Sequence, residues 1–324
     1  MQALRTQGLF LFSGFLVIGG AWVVSALCYN RHTIERIEHM DITHQDNRMT
    51  IRSIEHFSLE QCLTCGQAFR WKKKDGGYAG VALGRAVFAQ QDGDALILVG
   101  VDEPAGPGFI RYFDLQRDYG AIKQSFADDP FLAQGMAYAH GMRVLRQPVF
   151  ETLISFIISA NNNVKRITGI VNKLCRLFGD PIGDEFDFPT AERLASLDEE
   201  DLKACGAGYR ARYIIDTAGM VADGFDLDGI ADMDFEQARQ MLTAFAGVGL
   251  KVADCVALYA LGFLQAFPAD VWMSRVLCGA YGYKGKNDKQ MRAFVDETFG
   301  KHAGIAQQFL FHYARNNQEA LCKP

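Results

Sequence analysis

A chain of 324 residues that is 49% hydrophobic and 22% charged can bury one large core or two moderate ones, which excludes a disordered polymer. Its 33 Lys and Arg are outnumbered by 38 Asp and Glu, so the net charge of -5 excludes a whole-chain field for a polyanion, and any nucleic-acid surface must be local. Eight scattered cysteines point to packing thiols in a reduced compartment, and the lone Cys62-x-x-Cys65 pair lacks the second ligand pair that a structural metal needs, so no metal is expected.

The segment from Gly8 to Tyr29 is nearly uncharged and, as a helix, long enough to cross a hydrocarbon core of about 30 Å. Gly14, Gly19, Gly20, Ser13 and Ser25 dilute its apolarity, and Met49 opens a stretch that reads as the start of a soluble domain. Residues 1–48 are therefore either a membrane anchor or the product of a start codon placed too far upstream, the second being preferred. Membrane contact is expected only under the first.

From Met49 to Gly100 the pattern is short and alternating, with Phe69 and Trp71, Tyr78 to Leu83, Ala86 to Ala89 and Ala95 to Val99 separated by Asp75-Gly76-Gly77 and Asp92-Gly93-Asp94. This predicts an antiparallel sheet of hairpins. Beyond Asp102 the period becomes helical, first at Phe109 to Phe113, Ala121 to Phe126 and Phe131 to His140, then at Val149 to Phe178 around a polar Asn161-Asn162-Asn163 insert. Further helices are predicted at Thr190 to Leu197, Glu199 to Ala204, Arg210 to Asp223, Phe235 to Phe245, Lys251 to Leu261, Val271 to Tyr281, Lys289 to Phe299 and Ile305 to Asn316. Strands followed by helices define an α+β chain, with a small sheet domain at 49–130 and a larger helical domain at 131–324.

Within the helical part, Phe245-Ala246-Gly247-Val248-Gly249-Leu250-Lys251-Val252-Ala253-Asp254-Cys255 ends one helix, turns on glycine and starts another, a helix-hairpin-helix signature. Gly247 and Gly249 permit close backbone approach, so amides at the second helix's N-terminus can face a DNA phosphate. An ordinary helix corner would use the same glycines. Lys251 lies in the first turn of the second helix, the end of the macrodipole that disfavours a cation, and an uncharged amine is what attack on a sugar carbon requires. Cys255, four residues on, shares its face. Asp270, in Pro268-Ala269-Asp270-Val271-Trp272, stands where an N-cap is expected, and its carboxylate could also offset positive charge on a sugar.

The stretch from Gly247 to Asp270 resembles the helix-hairpin-helix, glycine/proline-rich loop and aspartate signature of the DNA glycosylase superfamily. With Gly66-Gln67-Ala68-Phe69-Arg70-Trp71, Ser159 to Gly169 and Gly208-Tyr209-Arg210-Ala211-Arg212-Tyr213, the chain from Met49 to Arg315 is similar to the 8-oxoguanine DNA glycosylase family. That resemblance implies a bifunctional glycosylase/AP lyase that flips 8-oxoguanine out from opposite cytosine, with Lys251 as nucleophile and Asp270 as its assisting carboxylate. It implies a lesion pocket of Gly66, Cys255, Gln307 and Phe311, and contacts to DNA and the opposite base by Asn161, Arg166, Tyr209 and Arg210, with phosphates also met near Lys165, Lys173 and Arg212.

The partner implied is double-stranded DNA containing oxidised guanine, met by a monomer inside the cell without a small-molecule cofactor. Two positions depart from the pattern. Ala246 stands where the hairpin usually has proline, and Trp272 where animal and fungal members carry histidine. The rival readings are a monofunctional glycosylase for alkylated purines, which would need only the aspartate, and a non-catalytic DNA-binding protein.

Overall fold

The computed structural model describes residues 10–12, 15–18, 21–23 and 40–317. Within the apolar 8–29 segment the described residues are three short antiparallel strands, β1 (Phe10–Phe12), β2 (Phe15–Ile18) and β3 (Ala21–Val23), rather than the helix considered above. Among the described residues no helix is long and apolar enough to cross a membrane.

The fold is the α+β arrangement expected: a six-stranded antiparallel sheet followed by a larger set of helices. The sheet comprises β4 (Asp41–Gln45), β5 (Arg48–Arg52), β6 (Trp71–Lys74), β7 (Gly77–Ala82), β8 (Arg85–Asp92) and β9 (Ala95–Val99) in the order β4-β5-β9-β8-β7-β6. It begins ahead of Met49, because β4 joins β5 through Asp46 and Asn47, both left-handed as a two-residue hairpin turn demands. Residue pairs Met49 with Leu98 and Ile51 with Leu96 bring one face's apolar side chains into register. That face packs on Phe109, Ile110, Tyr112 and Phe113 of the segment after β9, where Trp71 Nε1 donates to Tyr112 Oη at 2.9 Å.

The two cores interleave along the chain rather than dividing at 130. Tyr119, Ile122 and Phe126 pack with the helical core, and Leu145 packs with the sheet. Arg143 and Gln67 make the polar junction. The buried Arg143 guanidinium donates to the carbonyls of Glu55, His56, Asp114 and Arg117. Gln67 donates to the carbonyls of Cys62 and Arg143 and accepts from Leu145 N–H, while its own carbonyl accepts from Gln147. Such a saturated knot is expensive to break, since each freed partner would be a buried orphan.

A short helix at Leu59–Thr64, capped by Ser58, and a small hairpin of β10 (Pro181–Ile182) and β11 (Glu185–Phe186) were not expected from periodicity, since neither is long enough to show any. The expected helix from Lys251 to Leu261 runs as an α-helix over Leu250–Val256 and widens into a π-turn at Ala257–Leu261.

Candidate active site and nucleic-acid interface

The helical insert resolves into two helices, Val149–Ser159 and Val164–Phe178, with Asn163 capping the second by accepting from Arg166 N–H. Ser159 ends the first. Its hydroxyl donates to the Phe156 carbonyl at 2.7 Å, which leaves its lone pairs to accept from Lys251 Nζ at 3.4 Å. The same amine lies 5.3 Å from the centroid of the Phe156 ring, which is itself stacked on Tyr259. Lys251, half-buried, is thus held over an aromatic face at the first turn of Leu250–Val256.

Asp270 caps Val271–Ala280 by accepting from Met273 N–H at 2.9 Å, as its place in the sequence predicted. Cys255 is buried one turn beyond Lys251. Burial pushes its thiol up to about 11, with Lys251 opposing the rise and the Asp270 carboxylate adding to it. The thiol therefore sits within the field of both the amine and the carboxylate, and stays protonated at neutral pH. It cannot compete as a nucleophile, for which a thiolate is needed.

Gly66 occupies a left-handed turn with φ +95°, and a Cβ there would lie 3.8 Å from the Phe311 ring. The motif around it is scaffold. Gln67 is the polar knot described above, Phe69 packs edge-on against Phe156, and the buried Arg70 pairs with Glu151 at 3.4 Å and donates to the Phe186 carbonyl. Gln307 and Phe311 project from the terminal helix Ala303–Asn316. Gln307 is 3% exposed, and its Oε1 has no hydrogen-bond partner.

On the outer surface, Asn161 is exposed and left-handed at φ 50°, and its Nδ2 donates to Tyr209 Oη at 3.3 Å. Tyr209 is 56% exposed, although it precedes a well-packed helix, Arg210–Ala222. Lys165, Arg166 and Lys173 are also exposed, as is Arg212, which pairs with Asp216 at 3.5 Å.

Arg210 differs from expectation. It is only 4% exposed, its guanidinium lies over the Tyr209 ring, and it donates to the carbonyls of Ala160, Asn161 and Ala207. In this structure it pins the Asn161 loop to Tyr209 instead of offering free donors to a base. Three carbonyls from the loop and the preceding turn accept from it, and they explain its burial.

The hairpin glycines have different causes. Gly247 is left-handed at φ +76°, and a Cβ there would come within 2.5 Å of the Tyr213 ring, so the fold itself requires glycine. Gly249 has φ -88° and ψ 178°, ordinary extended backbone, and a Cβ there would meet nothing within 4 Å. Nothing inside the protein calls for glycine at this N-cap, which suits a phosphate brought against the amides. Gly249→Ala is expected to cost no more than about 1 kcal/mol through the weaker cap, yet to weaken duplex binding clearly. Thermal melts and a binding titration check this, and undiminished affinity would show that no backbone approaches there.

Four functional features were not assigned from the sequence. Ser159 and Phe156, which hold the amine, resemble ordinary helix residues. The buried Arg239–Asp254 pair clamps the hairpin, and Arg315 lies beside Gly66. Only Ser159 left a signal, as the first residue of the Asn-rich motif.

The chain matches the HhH-GPD superfamily base excision DNA repair protein family over residues 154–301, and the 8-oxoguanine DNA glycosylase N-terminal domain over residues 49–153. It is 34% identical over 229 residues to a probable N-glycosylase/DNA lyase of Methanothermobacter thermautotrophicus, spanning 63% of this chain and 73% of that protein. It is 32% identical over 285 residues to the N-glycosylase/DNA lyase OGG1 of Arabidopsis thaliana, spanning 80% and 78%. The solved 8-oxoguanine glycosylase/lyase of Clostridium acetobutylicum, in complex with double-stranded DNA containing cytosine opposite 8-oxoguanine, superposes with a TM-score of 0.82 at 35% identity. That similarity covers 86% of this chain and 98% of the other.

Proposed function

The chain belongs to the 8-oxoguanine DNA glycosylase family, and we propose from that membership that the amine of Lys251 is the nucleophile of an N-glycosylase/DNA lyase acting on 8-oxoguanine opposite cytosine. The observation that carries the assignment is the seat of that amine. It lies over Phe156, bonded to Ser159, with one buried thiol sensing both it and the Asp270 carboxylate. No carboxylate forms an ion pair with Lys251 among the described residues, where its partners are the Ser159 hydroxyl and the Phe156 ring.

The amine attacks C1′ of the flipped nucleoside. The C1′–N9 bond breaks with its electron pair going to the purine, which departs with a proton. The N-linked sugar then opens to a Schiff base as O4′ takes a proton, and loss of a C2′ proton expels the 3′ phosphate and nicks the strand. Asp270, fixed by its capping bond, faces the positive charge that develops at C1′. Flipping costs a few kcal/mol, which Tyr209 and Asn161 offset by filling the vacated space, with Arg166 and the Arg210-braced loop reaching the orphaned cytosine. Gln307, Phe311, Cys255 and Gly66 form the pocket for the base. Gly66 reads the donor that oxidation places at N7, where guanine has an acceptor.

One chain supplies every one of these groups, so the working unit proposed is a monomer on duplex DNA inside the cell. Borohydride reduction in the presence of an 8-oxoguanine:cytosine duplex is expected to yield a covalent protein–DNA adduct, together with free 8-oxoguanine. Neither product from the folded protein would overturn the assignment.

A further inference from the structure

On the terminal helix Gln307, Phe311 and Arg315 recur four residues apart and so share one face. That face meets Gly66, where a built Cβ would lie 3.0 Å from Arg315 Nη1, 3.7 Å from a Val164 methyl and 3.8 Å from Phe311. Two buried polar atoms on it, Gln307 Oε1 and Arg315 Nη1, have no hydrogen-bond partner. The neighbouring face of the same helix is saturated, since Gln308 accepts from Tyr259 Oη at 2.7 Å and donates to the Cys65 carbonyl. An orphaned buried donor on a cation costs more than a neutral one, so two orphans confined to one face mark the place where a polar ligand completes the structure.

The helix rise of about 1.5 Å per residue sets Gln307 and Arg315 about 12 Å apart along the axis with Phe311 midway. A flat base lying on Phe311 can be reached by these two side chains only from opposite edges. Oxidation of guanine turns N7 into a donor and makes the neighbouring C8 a carbonyl. With Arg315 Nη1 3.0 Å from a Cβ built on Gly66, the Gly66 backbone carbonyl and the Arg315 guanidinium offer an acceptor and a donor matched to that pair. Guanine would present N7 as an acceptor and C8–H instead, a mismatch at both positions.

We infer that Arg315 is a specificity-determining residue, whose Nη1 donates to the C8 carbonyl oxygen of the flipped base, across the ring from the edge taken by Gln307. The inference rests on the proposed function above and adds a second discriminating contact to it.

The test compares Arg315→Met with the unmodified full chain on two duplexes, one holding 8-oxoguanine opposite cytosine and one an abasic site. Single-turnover base release is expected to fall about 10- to 100-fold, the factor carried by a lost hydrogen bond from a charged donor, while nicking of the abasic duplex, which has no base to read, is unchanged. Should Arg315→Met fail to fold, Arg315→Lys is measured instead, because it keeps the stem and charge but loses the planar fork, and the same split is expected. Undiminished base release overturns the inference, as does a parallel loss on both duplexes, which would assign Arg315 a structural role. Unmodified protein inactive on both duplexes would overturn the proposed function itself.

Discussion

Lys251→Gln is expected to abolish the trapped adduct and to slow base release by about 10⁴- to 10⁶-fold, the range reached when a covalent nucleophile is removed from an enzyme. Stability should not follow activity. Lys251 sits in the first turn of its helix, where the macrodipole opposes a cation, so a neutral side chain there is expected to leave stability unchanged or raise it by up to about 1 kcal/mol. What the exchange gives up, a long bond to Ser159 Oγ and the contact with Phe156, is small beside that. A variant that melts no lower than the unmodified chain and traps no DNA is the signature of a residue kept for chemistry. A variant that still forms the adduct would move the nucleophile elsewhere.

Asp270→Asn separates charge from capping in the same assay. Asn caps a helix as well as Asp, so the bond to Met273 N–H and the fold persist, and only the negative charge proposed to face the sugar is lost.

Arg239→Met is expected to cost about 3–5 kcal/mol of folding stability, the usual penalty for stranding one member of a buried ion pair. Arg239, on the first hairpin helix, places Nε 2.8 Å from Asp254 Oδ1 on the second, and its other edge forks onto Asp288 at 2.7 Å and 2.8 Å. The pair with Asp254 is buried on both sides, whereas Asp288 is half in solvent and contributes less. Burial pushes the Asp254 carboxyl up to about 6 from its ordinary 3.8, against the pull of Arg239.

A carboxyl raised in the folded state contributes stability that is fully present below about pH 3.8 and lost as pH rises through about 6. Removing Arg239 raises that carboxyl further, so the loss in Arg239→Met should be larger at pH 8 than at pH 5. Urea unfolding at the two pH values measures it. Pairing the exchange with Asp254→Leu should recover much of the stability, because it removes the stranded charge. A loss under about 1 kcal/mol at both pH values would show that the hairpin does not depend on this clamp.

The parts of the site legible in the sequence are those held by interactions between near neighbours. Asp270 caps because its acceptor and the Met273 N–H are three residues apart. The Asp-Gly turns marked the β6–β7 and β8–β9 hairpins, and the glycine turn before Lys251 placed the amine at a helix N-terminus. β4 escaped notice because an edge strand with alternately exposed and half-buried residues carries no apolar stripe, and Leu59–Thr64 because one and a half turns show no period.

Sequence alone determined the α+β class and the hairpin, since both rest on local geometry and periodicity, while Lys251 and Asp270 entered as candidates through the family resemblance. Tertiary structure decided the rest. It buried Arg210 against carbonyls about fifty residues earlier in the chain, laid Lys251 over Phe156, clamped the hairpin through Arg239 and Asp254, and set Arg315 beside Gly66. Partners so distant in the chain are chosen by packing, and the burial that fixes whether a charge is satisfied, stranded or available to a substrate exists only once the chain has folded.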